Sequence, residues 1–548
     1  MNDSLVPAAA PPAAHPATPP AIQPMAATPR IWIAFAIMCL GMFMAILDIQ
    51  IVTTSLPAIR AALGIAPDQM VWIQTAYLTA EIVAIPLTGY LLRLLGMRTL
   101  FVTAITVFTL ASAACAASPG FAPLIAARIV QGFAGGTLIP AVFAAVFLLF
   151  PQRQQGLATT LAGVAAVLAP TVGPVVGGWI TQTWSWHWLF LINVLPGIAA
   201  ALGARWRLRL AAATERGHSQ FDALALVALA AALTALELAL KDAPGRGWGS
   251  GLVVGELALM LGAGALFTWR TLRSSDPLVE LRLLGDRNFA VGSAFSFVLG
   301  IGLFGSTYLM PFFLGLVRGH GALEIGQIML VTGLAQLLSA PLAVALERRV
   351  DARLLTLFGF ALFGAGLLLS AFQTAETDAA GMVVPQILRG AAIMFCLLPP
   401  TRLALGQLRP DQVADGSGLF NLMRNLGGAI GLALIDTIIF TRSPHYAALI
   451  EARLRAGDVA TAVGIGIPRD AFLENLGEPV DEITTEMVQP LVEKAALVHA
   501  INDAWLAIGL ITVLALALVW LVRRRGAAVP ALRGLHATPS APAQAFGE

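Results

Sequence analysis

Charge is scarce in this chain: Asp, Glu, Lys and Arg make up 12% of its 548 residues. Soluble domains carry about 25%, so an ordinary soluble globular protein is excluded. Net charge is scarce too, at +2, which argues against a nucleic-acid binder. Cysteine appears three times, as Cys39, Cys115 and Cys396, each inside an apolar run. No disulfide framework or Cys-based metal cluster can be drawn from that set. The chain lacks a P-loop, a nucleophile elbow, an HExxH motif and clustered metal ligands. An enzyme, a metal-dependent protein and a self-contained ATP-driven machine are therefore not expected. The first residues lack the basic segment and short apolar core of a signal peptide; residues 1–30, rich in Ala and Pro, read as a disordered cytoplasmic tail. Residues 523–548 read the same way.

What is present is apolar: 58% hydrophobic residues, arranged in long runs. A spanning helix needs about 20 mostly apolar residues. Fourteen runs meet that length: 31–56, 70–92, 98–117, 121–148, 157–181, 188–208, 222–240, 251–269, 288–315, 325–346, 353–372, 381–405, 413–440 and 501–522. The fold class is therefore an all-α polytopic membrane protein. With the N-terminus inside, the inside segments collect Arg205, Arg207, Arg209, Arg216, Arg270, Arg273 and many others. The short outside loops hold Arg60, Lys241, Arg246 and Arg318. By the positive-inside rule both termini are expected in the cytoplasm.

A diverged repeat is visible. ARIVQGFAGG in the fourth run carries Arg128, and PQILRGAAIMF in the twelfth carries Arg389, 261 positions later. Gly173 in the fifth run pairs with Gly428 in the thirteenth at 255 positions. Two six-helix bundles follow, residues 31–208 and 288–522, with residues 209–287 as an inserted hairpin and its linkers. Duplicated halves around a midplane site are the build of a rocking transporter. Residues 441–500 are expected as a long, solvated outer loop with short amphipathic helices.

The fifth run carries Pro170, Gly173, Pro174, Gly177 and Gly178. Each proline removes a helical donor and is expected to kink the helix. The glycines let another backbone approach closely. Such a helix suits a pivot, or simply tight packing.

Ionisable groups at membrane depth are functional candidates by default. Glu81 lies eleven residues into its run, near mid-membrane, where a proton or a partner must neutralise it. Asp48 ends the apolar part of the first run. Arg128 stays charged, so its expected role is to hold a carboxylate ionised; Asp48 is the partner expected. Asn421, Arg424 and Asn425 share one helix face by their i, i+3, i+4 spacing, and Asp436 lies twelve residues beyond Arg424. These four are the substrate-binding candidates. Glu237 and Glu256 fall near the outer ends of the inserted pair and read as solvated. Met310, Phe312, Phe313 and Met394 read as packing residues that would also suit an apolar drug pocket.

Two stretches resemble a known family. GPVVGG, from Gly173, is similar to the antiporter motif of the major facilitator superfamily. WSWHWLFLINVLPG, which follows it, resembles the signature of fourteen-helix drug:proton antiporters of the EmrB/QacA type. The resemblance implies the major facilitator fold and a proton-coupled antiporter in the bacterial inner membrane, exporting lipophilic drugs by alternating access. It implies a proton gradient as the energy source, with no cofactor. The partners would be an amphipathic small molecule, the lipid bilayer, and a periplasmic adaptor with an outer-membrane channel. Asp48 in ILDIQIVTTSLPAI and Arg128 in RIVQG sit at the family's proton-handling motifs. The loop after the second run, GYLLRLLGMRTLF, keeps the family's Gly89 and Gly96 but has Arg93 where an aspartate is usual, so that motif's charge relay is not assumed. Its second-half counterpart keeps Glu347, Arg348, Arg349 and Asp351. The competing reading is a facilitator or proton-linked transporter of an organic anion or metabolite, to which Arg128, Arg389 and Arg424 would be attractive.

Overall fold

A computed structural model describes residues 27–208, 222–347, 349–474 and 482–522. The two tails, most of the linker before the inserted hairpin, Arg348, and Asp481 in the outer segment lie outside the described residues. Among the described residues every regular element is helical.

The first half comprises α1 (Pro29–Leu63), α2 (Pro67–Ala116), α3 (Phe121–Leu149), α4 (Gln152–Thr183), α5 (Trp188–Leu191) and α6 (Val194–Arg207). The hairpin is α7 (Ala223–Arg246) and α8 (Gly251–Arg273). The second half holds α9 (Arg287–Leu316), α10 (Ala322–Glu347), α11 (Ala352–Leu369), α12 (Ala379–Leu405) and α13 (Val413–Arg455). Two short helices, α14 (Val459–Gly464) and α15 (Arg469–Glu474), lead to α16 (Glu482–Leu514), which ends in a 3-10 turn, Ala515–Leu521.

Among the described residues, twelve helices are long and apolar enough to cross a membrane, and the bent α4 is a thirteenth. Fourteen is reached when α2 is taken as two. Its apolar part, Trp72–Ala116, is 45 residues, roughly 68 Å at the α-helical rise, against a hydrocarbon core of about 30 Å. It breaks at Gly96, whose φ of 74° leaves helical space. Glycine tolerates that conformation because it has no Cβ.

Within the first half, α1 packs on α3, α4 and α6, and α2 on α3 and α6. Within the second, α9 packs on α12, α13 and α16, and α11 on α12 and α16. Glycines set the closest approaches. Gly132 of α3 faces the backbone of Tyr77 on α2, and Gly427 of α13 faces the backbone of Phe297 on α9. No side chain fits there, so the helices meet backbone to backbone. The halves touch through α4 on α10, and through α2 and α3 on α13.

The hairpin lies at that seam. α7 packs on α8, α2 and α13. Its far end is fastened to both halves: Lys241 Nζ sits 4.3 Å from the Trp72 ring centroid, and Trp248 Nε1 donates to Thr437 Oγ1 at 3.1 Å. Asp222 caps α7 by accepting from the Ala225 amide, and Arg270 of α8 binds the same carboxylate at 2.9 Å.

The expected loop at 441–500 is largely helix. α13 runs on to Arg455 and α16 starts at Glu482. Tyr446, Ala447, Ile450 and Leu454 form a stripe that packs on Val488, Val492, Ala495 and Ala496. That i, i+4 spacing makes one face apolar and holds the two extensions together. Arg442 and Tyr446 both reach Asp503.

Candidate functional site

The densest polar cluster inside the first half is built around Asp48. α1 delivers the Asp48 carboxylate, and α3 delivers Arg128 opposite it. Nη1 of Arg128 donates to Oδ2 of Asp48 at 2.5 Å, and both side chains are fully buried. The other carboxylate oxygen accepts from Gln131 Nε2 at 2.9 Å and from Asn193 Nδ2 at 2.7 Å. Both amides also reach Ser112 Oγ. Arg128 Nε donates to the Ile73 carbonyl at 3.0 Å, and its guanidinium lies 4.3 Å from the Tyr77 ring centroid. A buried ion pair is tolerable only when further hydrogen bonds satisfy its atoms, and α2, α3 and the α5–α6 turn supply them. Arg128 Nη2 is the atom left without a partner among the described residues.

Three of these residues were not among the sequence candidates: Gln131, Asn193 and Ser112. Gln131 had a signal, since it stands three residues after Arg128 and shares its helix face. Asn193 stands alone between apolar neighbours in WLFLINVLPG, at the turn between α5 and α6.

Glu81 lies on α2, one turn beyond Tyr77, and is 6% exposed. No hydrogen bond or ion pair holds its carboxyl among the described residues, and its backbone packs under Gly136 of α3. Glu237 of α7 is close enough for the two charges to act on each other. The expectation that Glu237 is solvated is therefore corrected. It is half-buried, because α7 lies against α2 rather than standing off in lipid.

α4 bends by 40° between Pro170 and Val172, as two prolines four apart lead one to expect. Beyond the bend, Gly173 packs under Gln50 of α1. Gly177 offers its carbonyl to Ser55 of α1 and Thr181, while Pro174, Gly177 and Gly178 are at least partly buried in the same seam. Val175 of α4 faces Gly326 of α10 in the other half.

The four substrate-binding candidates do not form one cluster. Asn421 accepts from Arg424 at 2.5 Å and donates to the Ser417 carbonyl, and Arg424 lies 5.3 Å from the Phe143 ring centroid. The Asn425 amide nitrogen is buried without a partner among the described residues. Asp436, about 18 Å along the helix, accepts instead from the Tyr308 hydroxyl at 2.8 Å. Met310 lines a cavity with Arg389, whereas Phe313 and Met394 are fully buried packing residues.

Beside the break of α2 at Gly96, Arg93 pairs with Asp415 of α13 and donates to the Pro277 carbonyl at 2.8 Å. The arginine that replaces the usual aspartate is thus an ion-pair partner across the halves. Glu347 pairs with Arg402 at 3.0 Å and lies against Gly156 at the start of α4.

The profile of the Major Facilitator Superfamily matches residues 38–432. A relative from Acinetobacter baumannii, the colistin resistance protein EmrB, is 38% identical over 74% of this chain and 80% of its own. The chain belongs to the Major Facilitator Superfamily, in its EmrB-type branch. As a superfamily member it is a multi-pass membrane transporter and not an enzyme. The multidrug export protein EmrB of Escherichia coli K12 is 28% identical over 88% of this chain and 94% of its own. The fatty acid resistance protein FarB of Neisseria gonorrhoeae is 27% identical over 91% and 97%. A solved structure, the human organic anion transporter MFSD10, shares the fold with a TM-score of 0.55, covering 90% of this chain and all of that one at 16% identity.

Proposed function

We propose that the chain is a proton-driven exporter of lipophilic drugs in the bacterial inner membrane, with fourteen spans and both termini in the cytoplasm. The observation that carries this reading is the fully buried Asp48–Arg128 pair, with unpartnered Glu81 one helix turn beyond the Tyr77 ring that flanks it. A proton on Asp48 removes the charge that Arg128 binds, so proton and ion pair compete for one carboxylate. Antiport needs only that proton and substrate prefer different conformers. The kinked α4, packed on α1 in one half and α10 in the other, is the pivot in this scheme. The energy source is the proton gradient, and a periplasmic adaptor with an outer-membrane channel would carry the substrate onward.

The test is substrate-dependent proton movement in proteoliposomes, wild type against Asp48→Asn and Glu81→Gln, with lipophilic cations and weak acids as substrates. Exchange in wild type and its loss in Asp48→Asn is the expected result. Full coupling in both variants would overturn the assignment of the acids. A second reading, a facilitator of organic anions, draws on Arg389 and Arg424, buried without a carboxylate partner among the described residues. Substrate that equilibrates in wild type without moving protons would favour it.

A further inference from the structure

The two halves treat their matching arginines differently. Arg128 has Asp48. The offset of 261 positions that carries Arg128 to Arg389 carries Asp48 to Leu309, beside Met310. Met310 is the residue that meets Arg389: its sulfur takes Nη2 at 3.5 Å. An aromatic ring flanks each arginine. Arg128 lies 4.3 Å from the Tyr77 ring centroid, and Arg389 lies 4.8 Å from that of Trp505. The second half thus keeps the guanidinium and its aromatic support but has a neutral thioether where the acid stood.

Arg389 is 4% exposed, and its Nε has no partner among the described residues. One helix turn earlier, Gln386 uses Oε1 to accept from Thr332, while its Nε2 is also without a partner. The orphaned Arg389 donor calls for an acceptor, since an unmade buried bond costs more than a made one gains. Arg389 lines a cavity at the bend of α4, beside Pro170 and Met310, with Val167, Met329 and Phe363 giving it an apolar wall.

We propose that this cavity is a seat for the anionic head of a transported amphipathic molecule, a carboxylate taking at Arg389 the place that Asp48 takes at Arg128. The proposal deepens the export reading, and rests on it, by naming a substrate class. The guanidinium offers a planar pair of donors that matches a carboxylate. The cavity, about 40 Å³, is sized for the head, and its apolar wall meets the first carbons behind it. Substrate placed there touches α4 at its bend and α12 behind it, so occupancy is sensed at the pivot.

The experiment measures equilibrium binding of labelled dodecanoate and labelled dodecyltrimethylammonium to the full chain in lipid nanodiscs, with empty nanodiscs subtracted. Arg389→Met is expected to lower the preference for dodecanoate over the cation about tenfold or more, since charge-assisted hydrogen bonds are lost. Arg389→Lys should keep part of it. Met310→Asp fills the seat with the acid of the first half, so it should abolish the preference while melting no lower than wild type. Wild-type preference in folded Arg389→Met and Met310→Asp overturns the proposal. So does displacement of dodecanoate by chloride at physiological concentration, which would make the seat one for inorganic anions. The two readings fail separately. A wild type that binds dodecanoate but moves no protons with substrate refutes export and leaves the seat. Proton-coupled efflux together with unchanged dodecanoate preference in Arg389→Met refutes the seat and leaves export.

Discussion

Replacing Asp48 by Asn tests the first-half cluster most directly. All three side chains at this carboxylate donate to it: Arg128 to Oδ2, Gln131 and Asn193 to Oδ1. An amide presents one acceptor oxygen and one NH2. Turned one way, the NH2 faces the Arg128 guanidinium; turned the other, it faces both amides. Either turn leaves a donor against a donor and a buried cation without its counter-charge. Removing one partner of a buried pair costs about 3–5 kcal/mol, roughly a hundred- to several-thousand-fold in the folding equilibrium. Arg128→Met should cost a similar amount, by leaving the carboxylate alone. The double variant removes both charges, so its cost should fall well short of the sum, giving a coupling energy of about 2 kcal/mol or more. The assay is reversible unfolding in detergent of wild type, both single variants and the double variant. A coupling energy below about 0.5 kcal/mol would refute the reasoning, because independent sites would then be shown.

Three further expectations follow from particular contacts. Gly132→Ala places a methyl against the Tyr77 backbone and should destabilise by about 1–3 kcal/mol, whereas Gly264→Ala meets only Ala232 Cβ at 3.9 Å and should be neutral or stabilising; equal melting temperatures for the two would count against the packing described. Arg93→Met removes the ion pair to Asp415 that joins the halves, so a cysteine introduced at Ser417, which donates to the Pro140 carbonyl across the same seam, should be alkylated several-fold faster; an unchanged rate would mean the pair does not hold that end shut. Asp222→Ala removes the cap of α7 and should raise amide exchange at Ala225 by about fivefold, for about 1 kcal/mol. The Arg270 guanidinium, helped by the Ala225 amide, holds the Asp222 carboxyl below its usual value. Its contribution is therefore full above the unfolded value of about 3.9 and fades as pH falls through the lower folded value. A wild-type-to-variant difference that grows on acidification would contradict that sign.

Helices were legible in the sequence because apolar length alone decides them in a membrane. The Asp48–Arg128 pair was legible for a similar reason: two opposite charges at depth have few other solutions. Asn193 was not, since nothing in one apolar run says which neighbouring run faces it. Glu237 was placed in solvent because its position along α7 is near a run's end, while its burial depends on α7 lying against α2. The outer segment was read as a loop with short amphipathic helices because its charges hide the stripe Tyr446, Ala447, Ile450 and Leu454, along which α13 itself runs on. The substrate candidates on α13 shared a helix face by spacing, and spacing could not show that Asn421 and Arg424 bind each other.

The duplicated halves carry their buried charge in opposite ways, and that asymmetry has a physical consequence. In the first half every atom of the Asp48 carboxylate is held from within the half, by α3 and by Asn193 at the α5–α6 turn. Rigid rocking of one half against the other leaves those bonds intact, so only a change in charge, such as a proton, loosens them. In the second half Arg389 meets no acid among the described residues, and its cavity is walled partly by Val167 and Pro170 of α4, from the first half. Rocking alters that wall directly. A ligand bound there interacts with a contact that differs between conformers, which is the condition for shifting their populations. On the proposed reading, a proton at Asp48 and a ligand in the cavity would act on one motion by different routes: one through charge inside a half, the other through the seam between halves. Coupling between them requires no chain of contacts from Asp48 to Arg389, only that both bias the position of α4.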